Sequence, residues 1–188
     1  MTQPRERITY REVSQAPAGN QRIELLDGEL RYLPPLLPRY QAIVRTVEYL
    51  LRTYREVFGG HLVVSPFDVV FSDFDVLEPD IAFFGQARRH LVASDGPVRV
   101  PPDLVVEVLD RGTMVRDRAR KLPILSAHGV REYWWLDPDR RRVETYTPGP
   151  AGFHLLQLAG GHEVVQSAAL PGLAYFASDF FDDPRAHR

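Results

Sequence analysis

Two acidic residues have the types and positions that a metal-assisted hydrolysis needs. Asp80 follows Pro79 and precedes the apolar run Ile81–Phe84, and Glu107 lies inside the otherwise apolar run 104–109. Both runs are typical of strands that are buried on both faces. A carboxylate in such a strand is costly unless a metal, a cation or hydrogen bonds satisfy it. The pair therefore predicts a divalent-metal site.

A divalent cation at this pair would support hydrolysis of a phosphodiester. Mg²⁺ keeps several of its waters, so Asp80, Glu107 and one main-chain carbonyl, that of Val108, would be sufficient ligands, and Mn²⁺ fits the same oxygens. Lys121 follows on a predicted helix, where it can position the attacking water, activate it by lowering its pKa, and offset charge on the phosphate. Taken singly, a strand-edge acid is often a cap and a helix lysine is usually solvated, so the combination carries the prediction.

The composition limits which functions are open to the chain. Its 188 residues, 44% hydrophobic and 26% charged, are typical of one globular domain. The absence of cysteine excludes disulfides, zinc–thiolate sites, iron–sulfur clusters and a cysteine nucleophile. Because the net charge is −2, nucleic-acid binding would have to use a local basic patch.

The distribution of apolar residues predicts no membrane segment. No run approaches the roughly 18 apolar residues that cross a bilayer, and the N-terminal segment lacks the apolar stretch of a secretory signal. We therefore expect a cytoplasmic protein.

Turn signals and periodicity predict the elements that must position the acids. The capping box Thr9–Glu12 predicts a short helix over 10–15, and Asp27-Gly28 predicts a hairpin between two strands. Apolar residues at three- and four-residue spacing predict an amphipathic helix over 39–58.

The second half of the chain alternates predicted strands with one helix, which Pro123 should kink or shorten. Strands are predicted over 61–66, 67–71, 79–84, 103–109, 132–136, 143–147, 153–158 and 162–166, and the helix over 113–127. This order predicts an α/β fold with a mixed central sheet. We expect a single domain over 1–188, with a core over about 8–180 and a flexible tail at 181–188.

The order and spacing of several short stretches resemble the bacterial Uma2 family, within the PD-(D/E)XK or restriction-endonuclease-like superfamily. The resemblance covers about residues 8–180, and the matching stretches are 22–30, 38–41, 66–70, 78–81, 102–109, 116–121 and 129–138. It implies a restriction-endonuclease-like fold, with a mixed sheet flanked by helices and an N-terminal β-hairpin. It also implies a Mg²⁺-dependent endonuclease acting on DNA, with Asp80 and Glu107 as metal ligands.

The resemblance also implies roles for a lysine and a third acid. The superfamily lysine usually lies two residues after the second acid, where this chain has Leu109. In this family the lysine lies on the following helix, which indicates Lys121. Glu24 matches a family acid in the first hairpin strand and is a further catalytic candidate, with an outward-facing hairpin glutamate as the alternative.

Four residues are candidate nucleic-acid contacts, with a solvated surface as the alternative for each basic one. Arg39 and Tyr40 open the long helix, and Arg116 and Arg118 belong to a basic cluster before Lys121. The aromatic run 133–135 could stack on bases, but its strand position favours packing in the core or at a subunit interface.

The chain departs from the family pattern at three places, and two other functions stay open. Tyr40 stands where the family usually has histidine. The segment 110–113 stands where the family often has Ser-Pro-Ser-Thr, and it adds the carboxylate of Asp110. Pro123 lies in a helix that the family leaves unbroken.

The alternative functions are a non-catalytic module that binds nucleic acid or protein, and a metal-dependent hydrolase of small phosphoesters. Since cutting two strands takes two sites, we also consider a homodimer.

Overall fold

The structure of the chain is a computed structural model that describes residues 7–15, 22–35, 37–93, 95–108 and 114–182, with residues 114–118 described by their backbone. In chain order the elements are α1 (Tyr10–Gln15), β1 (Arg22–Leu26), β2 (Glu29–Leu33), α2 (Pro38–Phe58), β3 (His61–Val64), β4 (Val69–Val70), β5 (Val76–Leu77), β6 (Ile81–Phe84), β7 (Leu104–Val108), α3 (Met114–Ala127), β8 (Glu132–Asp137), β9 (Arg142–Gly149), β10 (Gly152–Gly160), β11 (Val164–Gln166) and β12 (Ala174–Phe176).

The predicted mixed central sheet is confirmed. Its six strands lie in the order β10-β9-β8-β7-β6-β3, and only the β7–β8 pair in it is parallel. A parallel pair needs a crossover connection, and α3 supplies it between β7 and β8. The N-terminal hairpin β1–β2 belongs to a second, antiparallel sheet in the order β2-β1-β5-β4.

The central sheet is covered on both faces, as the continuous apolar strands predict. On one face, Val47 and Leu51 of α2 pack with Val106. On the other face, Leu125 of α3 packs with Val105. Successive side chains of a strand alternate between faces, so Glu107 lies on the same face as Val105, toward α3.

One of the two predicted effects of Pro123 is wrong, because the proline does not shorten the helix. Pro123 lies inside α3, and the helix continues to Ala127. Proline removes one main-chain donor from the helix, but Leu125, two residues later, is fully buried in the core. This apolar packing holds the second half of the helix in place.

Several predicted boundaries differ from the structure. The strands predicted over 61–66 and 67–71 are shorter, because β3 ends at Val64 and β4 is only two residues long. The sequence patterns also missed β5, β12 and a 3₁₀ turn over Ala177–Phe180. That turn buries Phe180 against Trp134, and residues 183–188 of the predicted tail lie outside the described residues. In the described part of the chain, no helix is long and apolar enough to cross a membrane.

Candidate active site

The structure brings Asp80 and Glu107 together at one end of the β6–β7 pair. In this antiparallel pair Ile81 lies opposite Val106, so the next step of the ladder places Asp80 opposite Glu107. The Oδ2 atom of Asp80 accepts a hydrogen bond of 2.8 Å from the main-chain N–H of Val108. The three predicted metal-ligating residues therefore share one strand end.

Lys121 reaches the same place from α3. It lies one helical turn before the buried Leu125 and so on the same helix face, and only 5% of it is exposed. Its Nζ atom lies 2.8 Å from Oε1 of Glu107 and 2.8 Å from Oε1 of Glu24. The lysine is therefore an ion-pair bridge between two acids.

Glu24 is an inward-facing residue of β1, and the outward-facing alternative does not hold. It is 1% exposed. Besides Lys121, its Oε1 atom accepts a 3.2 Å hydrogen bond from the main-chain N–H of Glu78. Because β1 belongs to the antiparallel sheet, the cluster lies where the two sheets meet.

Sequence reasoning missed Arg22 and Glu78 as members of the cluster. Arg22 contacts Oε1 of Glu78 at 2.7 Å with its Nε atom, and Oδ1 of Asp80 at 3.3 Å with its Nη2 atom. The Ser65 hydroxyl donates a 3.2 Å hydrogen bond to Oε1 of Glu78. Strand spacing was the available signal, because Arg22 lies two residues before Glu24 and therefore on the same face of β1.

Tyr133 also contacts the cluster, although its aromatic run predicted only packing or stacking. The tyrosine is buried on β8, where it pairs with Val105 and so lies on the face that carries Glu107. Its hydroxyl donates a 2.9 Å hydrogen bond to Oε2 of Glu107. The two oxygens of Glu107 thus have different partners, Lys121 and Tyr133.

Negative charge exceeds positive charge in this cluster. Among the side chains that the structure describes, four carboxylates share contacts with two cations; the carboxylates are Glu24, Glu78, Asp80 and Glu107, and the cations are Arg22 and Lys121. A buried group of this kind is unfavourable unless protons or a further cation neutralise it. The excess of two carboxylates matches the charge of one divalent ion.

The acids and the lysine have shifted pKa values in accordance with this charge balance. Burial raises the pKa of Asp80 to about 6, although Arg22 and the Val108 N–H oppose the shift. Burial raises the pKa of Glu24 to about 7, with Lys121 opposing. Burial alone would lower the pKa of Lys121, but Glu107 and Glu24 outweigh it and raise that pKa above its ordinary value. Lys121 is therefore a stable ammonium.

The donor set suits Mg²⁺ or Mn²⁺ with water ligands rather than a complete protein cage. Among the residues that the structure describes, no three His, Cys, Asp or Glu side chains are grouped to hold an ion. Mg²⁺ commonly uses one or two carboxylates and keeps several waters, which Asp80 and Glu107 can match. Asp110, a further carboxylate near the site by sequence, lies outside the described residues.

The predicted nucleic-acid contacts are only partly accessible. Arg39 is exposed, and its Nη1 atom lies 3.7 Å from Oδ1 of Asp139. Tyr40 is 1% exposed, and its hydroxyl accepts a 2.6 Å hydrogen bond from Arg39. Its burial leaves no surface for a direct contact. The side chains of Arg116 and Arg118 lie outside the described residues.

Comparison with known proteins assigns the chain to a family and a fold. The crystal structure of "a putative nuclease belonging to DUF820" from Anabaena variabilis ATCC 29413 matches with a TM-score of 0.76, at 19% sequence identity, over 93% of this chain and 97% of that one. Among curated proteins, no relative of similar sequence was found. The model of the Uma2 family, described as "Putative restriction endonuclease", matches residues 10–178. The chain therefore belongs to the Uma2 family and has a restriction-endonuclease-like fold.

Proposed function

We propose that this protein is a divalent-metal-dependent endonuclease that hydrolyses DNA phosphodiester bonds. The names of its family and of the Anabaena protein support a nuclease role. The observation that carries the proposal is the buried cluster in which Asp80, Glu107 and Lys121 meet with more carboxylates than cations. Such an excess of buried carboxylates is unfavourable unless protons or a bound cation neutralise it, and it is typical of functional sites.

In this proposal Asp80 and Glu107, with the main chain of Val108, hold Mg²⁺ or Mn²⁺. When bound, such an ion neutralises charge on the phosphate and lowers the pKa of a bound water. The exposed share of the Glu107 side chain is 15%, against 5% for Asp80. Substrate would therefore approach the cluster from the side of Glu107.

The protein side chains then have separate tasks. Lys121 stays protonated, so it donates hydrogen bonds to the attacking water or to a phosphate oxygen and does not act as a general base. Glu24 holds Lys121 in place. Arg22 orients Asp80, and Tyr133 orients Glu107, through the contacts described above.

A non-catalytic binding module on the same fold is the second candidate. The observation in its favour is that cations already satisfy both acids, Arg22 at Asp80 and Lys121 at Glu107. A protein that had lost its chemistry could retain such ion pairs for stability alone. A module of this kind would bind nucleic acid or a protein without needing a metal.

Calorimetric titration of Mn²⁺ and Mg²⁺ into the wild type, Asp80→Asn and Asp103→Asn separates the two candidates. Asp103 is a matched control, because it is a buried acid at the opposite end of the β6–β7 pair. We expect binding by the wild type and by Asp103→Asn, and its loss in Asp80→Asn. Equal binding by all three proteins would place the metal elsewhere.

Cleavage assays on single-stranded and duplex DNA, with Mg²⁺ or Mn²⁺ and with EDTA, test the activity itself. We expect metal-dependent cleavage by the wild type and none by Asp80→Asn or Glu107→Gln. DNA binding that is indifferent to EDTA, without cleavage in any metal, would favour the binding module. Turnover of bis(p-nitrophenyl) phosphate without cleavage of DNA would favour a hydrolase of small phosphoesters.

We also propose that the nuclease acts as a homodimer, because cutting both strands of a duplex takes two sites. Sedimentation velocity with and without duplex DNA tests this proposal. A monomer under both conditions would contradict it.

A further inference from the structure

A cavity of about 760 Å³ lies beside the acid cluster. Its walls come from four parts of the chain: the start of β1, the end of β2 with the prolines that follow it, one face of α2, and the end of β3 with the turn after it. The walls include Tyr32, Gln41, Arg45 and Ser65. A volume of roughly 300–1,000 Å³ is typical of sites for small organic groups.

The cavity borders the acid cluster, because Arg22 and Ser65 line the cavity and also contact acids of the cluster. Arg22 lines the cavity and contacts Asp80 and Glu78. Ser65 lines it too; its hydroxyl donates to Glu78, and its main-chain N–H donates a 3.0 Å hydrogen bond to the Asp80 carbonyl. A group that fills the cavity is therefore separated from Asp80 by only one layer of side chains, that of Arg22 and Ser65.

The walls suit a flat heterocycle with a polar edge. Tyr32 is 62% exposed although it is a large aromatic residue, and Pro35 adds a second apolar wall. Gln41, Arg45 and Glu48 lie at spacings of four and three residues, so they line one face of α2 with hydrogen-bonding groups. Aromatic rings stack on any base, and amide or charged groups bind base edges.

We infer that this cavity holds one unpaired nucleobase of the nucleotide next to the scissile phosphate. The inference rests on the proposed function and specifies its substrate, because a base inside a duplex stack cannot enter a cavity of this kind. The substrate is then DNA in which this nucleotide is unpaired before it binds, which a blunt, fully paired duplex does not offer. The positive charge of Arg45 complements the phosphate of the bound nucleotide.

Fluorescence anisotropy with a labelled 12-nucleotide single strand, and with the same sequence as a blunt duplex, tests the inference in Ca²⁺. The variants are Tyr32→Ala, which removes the stacking surface, Tyr32→Phe, which retains it, and Gln41→Trp, which fills the cavity from its exposed rim. Phe176→Ala is the control, since Phe176 is an exposed aromatic residue at 47% that does not line the cavity. Thermal melts confirm that each variant is folded.

The wild type should bind the single strand more tightly than the duplex. Tyr32→Ala and Gln41→Trp should each weaken single-strand binding roughly tenfold, whereas Tyr32→Phe and Phe176→Ala should match the wild type. Equal binding of single strand by all folded variants would overturn the inference, and so would stronger binding of the duplex by the wild type.

Cleavage of the same two oligonucleotides in Mg²⁺ or Mn²⁺ distinguishes this failure from failure of the proposed function. If the wild type cleaves DNA and the cavity variants bind like Phe176→Ala, the nuclease proposal stands and the base site is wrong. If no protein cleaves in any metal but Tyr32→Ala and Gln41→Trp lose single-strand binding, the cavity is a base site on a protein that is not a nuclease.

Discussion

The β6–β7 strand pair carries a buried acid at each of its two ends, and the two ends differ in charge balance. At one end Asp80 and Glu107 belong to a cluster in which acids outnumber cations. At the other end, Oδ1 of Asp103 lies 2.7 Å from Nη1 of Arg88 and 3.3 Å from Nη1 of Arg131. The N–H of Gly85 adds a 2.8 Å hydrogen bond to Asp103.

Burial of an acid at a strand end therefore does not by itself mark an active site. Asp103 is as buried as Asp80, at 2% and 4% exposure, but two arginines compensate it. Both carboxylate oxygens of Asp103 have partners, so this acid is a structural support for the loop after β6. The Asp80 end keeps an excess of negative charge, which protons or a divalent cation must neutralise.

The largest expected effect comes from removing the lysine at the acid-rich end. Lys121→Met leaves Glu24 and Glu107 buried without this partner, so the free energy of unfolding should fall by about 3–5 kcal/mol at pH 8. Cleavage should fall at least a hundredfold. Urea unfolding measures the first effect. Arg120→Met is the control, because Arg120 pairs with the half-buried Glu29. An equal loss of stability and cleavage in that variant would mean that the effect of Lys121→Met does not come from its contacts with Glu24 and Glu107.

Removing the acid at the opposite end should affect stability alone. Asp103→Ala leaves Arg88 and the Gly85 N–H without their acceptor, so unfolding should become easier by about 2–4 kcal/mol. Cleavage per folded molecule should equal that of the wild type. A large loss of cleavage, measured at a temperature where the variant is fully folded, would mean that the two ends do not have separate roles.

The acid-rich end should also make stability depend on pH when metal is absent. The pKa values of Asp80 and Glu24 are about 6 and about 7 in the folded protein, above their ordinary 3.8 and 4.5. The folded state therefore binds these protons more tightly than the unfolded state. This contribution to stability is full below about pH 4 and is lost as the pH rises through 6 and 7.

Urea unfolding in EDTA at pH 5 and pH 8 measures this contribution. Relative to the Asp80→Asn/Glu24→Gln double variant, the wild type should lose roughly 2–4 kcal/mol of stability on going from pH 5 to pH 8. A wild type that gains stability relative to the double variant over this interval would contradict the prediction. The same comparison for Asp103→Asn serves as the control at the compensated end.

The smallest change in stability is expected for the tyrosine that orients Glu107. Tyr133→Phe removes one hydrogen bond and should cost about 1 kcal/mol, while cleavage falls roughly tenfold because Glu107 loses its orientation. Tyr146→Phe is a matched control, since its hydroxyl hydrogen-bonds Glu144 instead and its ring packs near Tyr133. If the two variants lose cleavage equally, the Tyr133 hydroxyl has no particular role.

Local patterns in the sequence were enough for most of the elements and for the strand positions of the acids. The Asp27-Gly28 turn and the long helix are formed mainly by interactions between residues near in the chain, and continuous apolar runs mark the buried strands; the structure has all of them. Element ends were less predictable. Pro123 does not end α3, because packing of Leu125 against a distant strand outweighs a local preference.

The residue types and their order were enough to specify the available chemistry: oxygen ligands without cysteine, a lysine, and strands that bury them. The charge balance of the cluster, in contrast, depends on how distant parts of the chain pack together. Arg22 and Glu24 reach Glu78, Asp80 and Lys121 because β1 of the antiparallel sheet lies beside the central one. Strand alternation sets the face a side chain takes, but long-range packing decides which strands become neighbours, and so whether a buried acid meets two arginines or another acid.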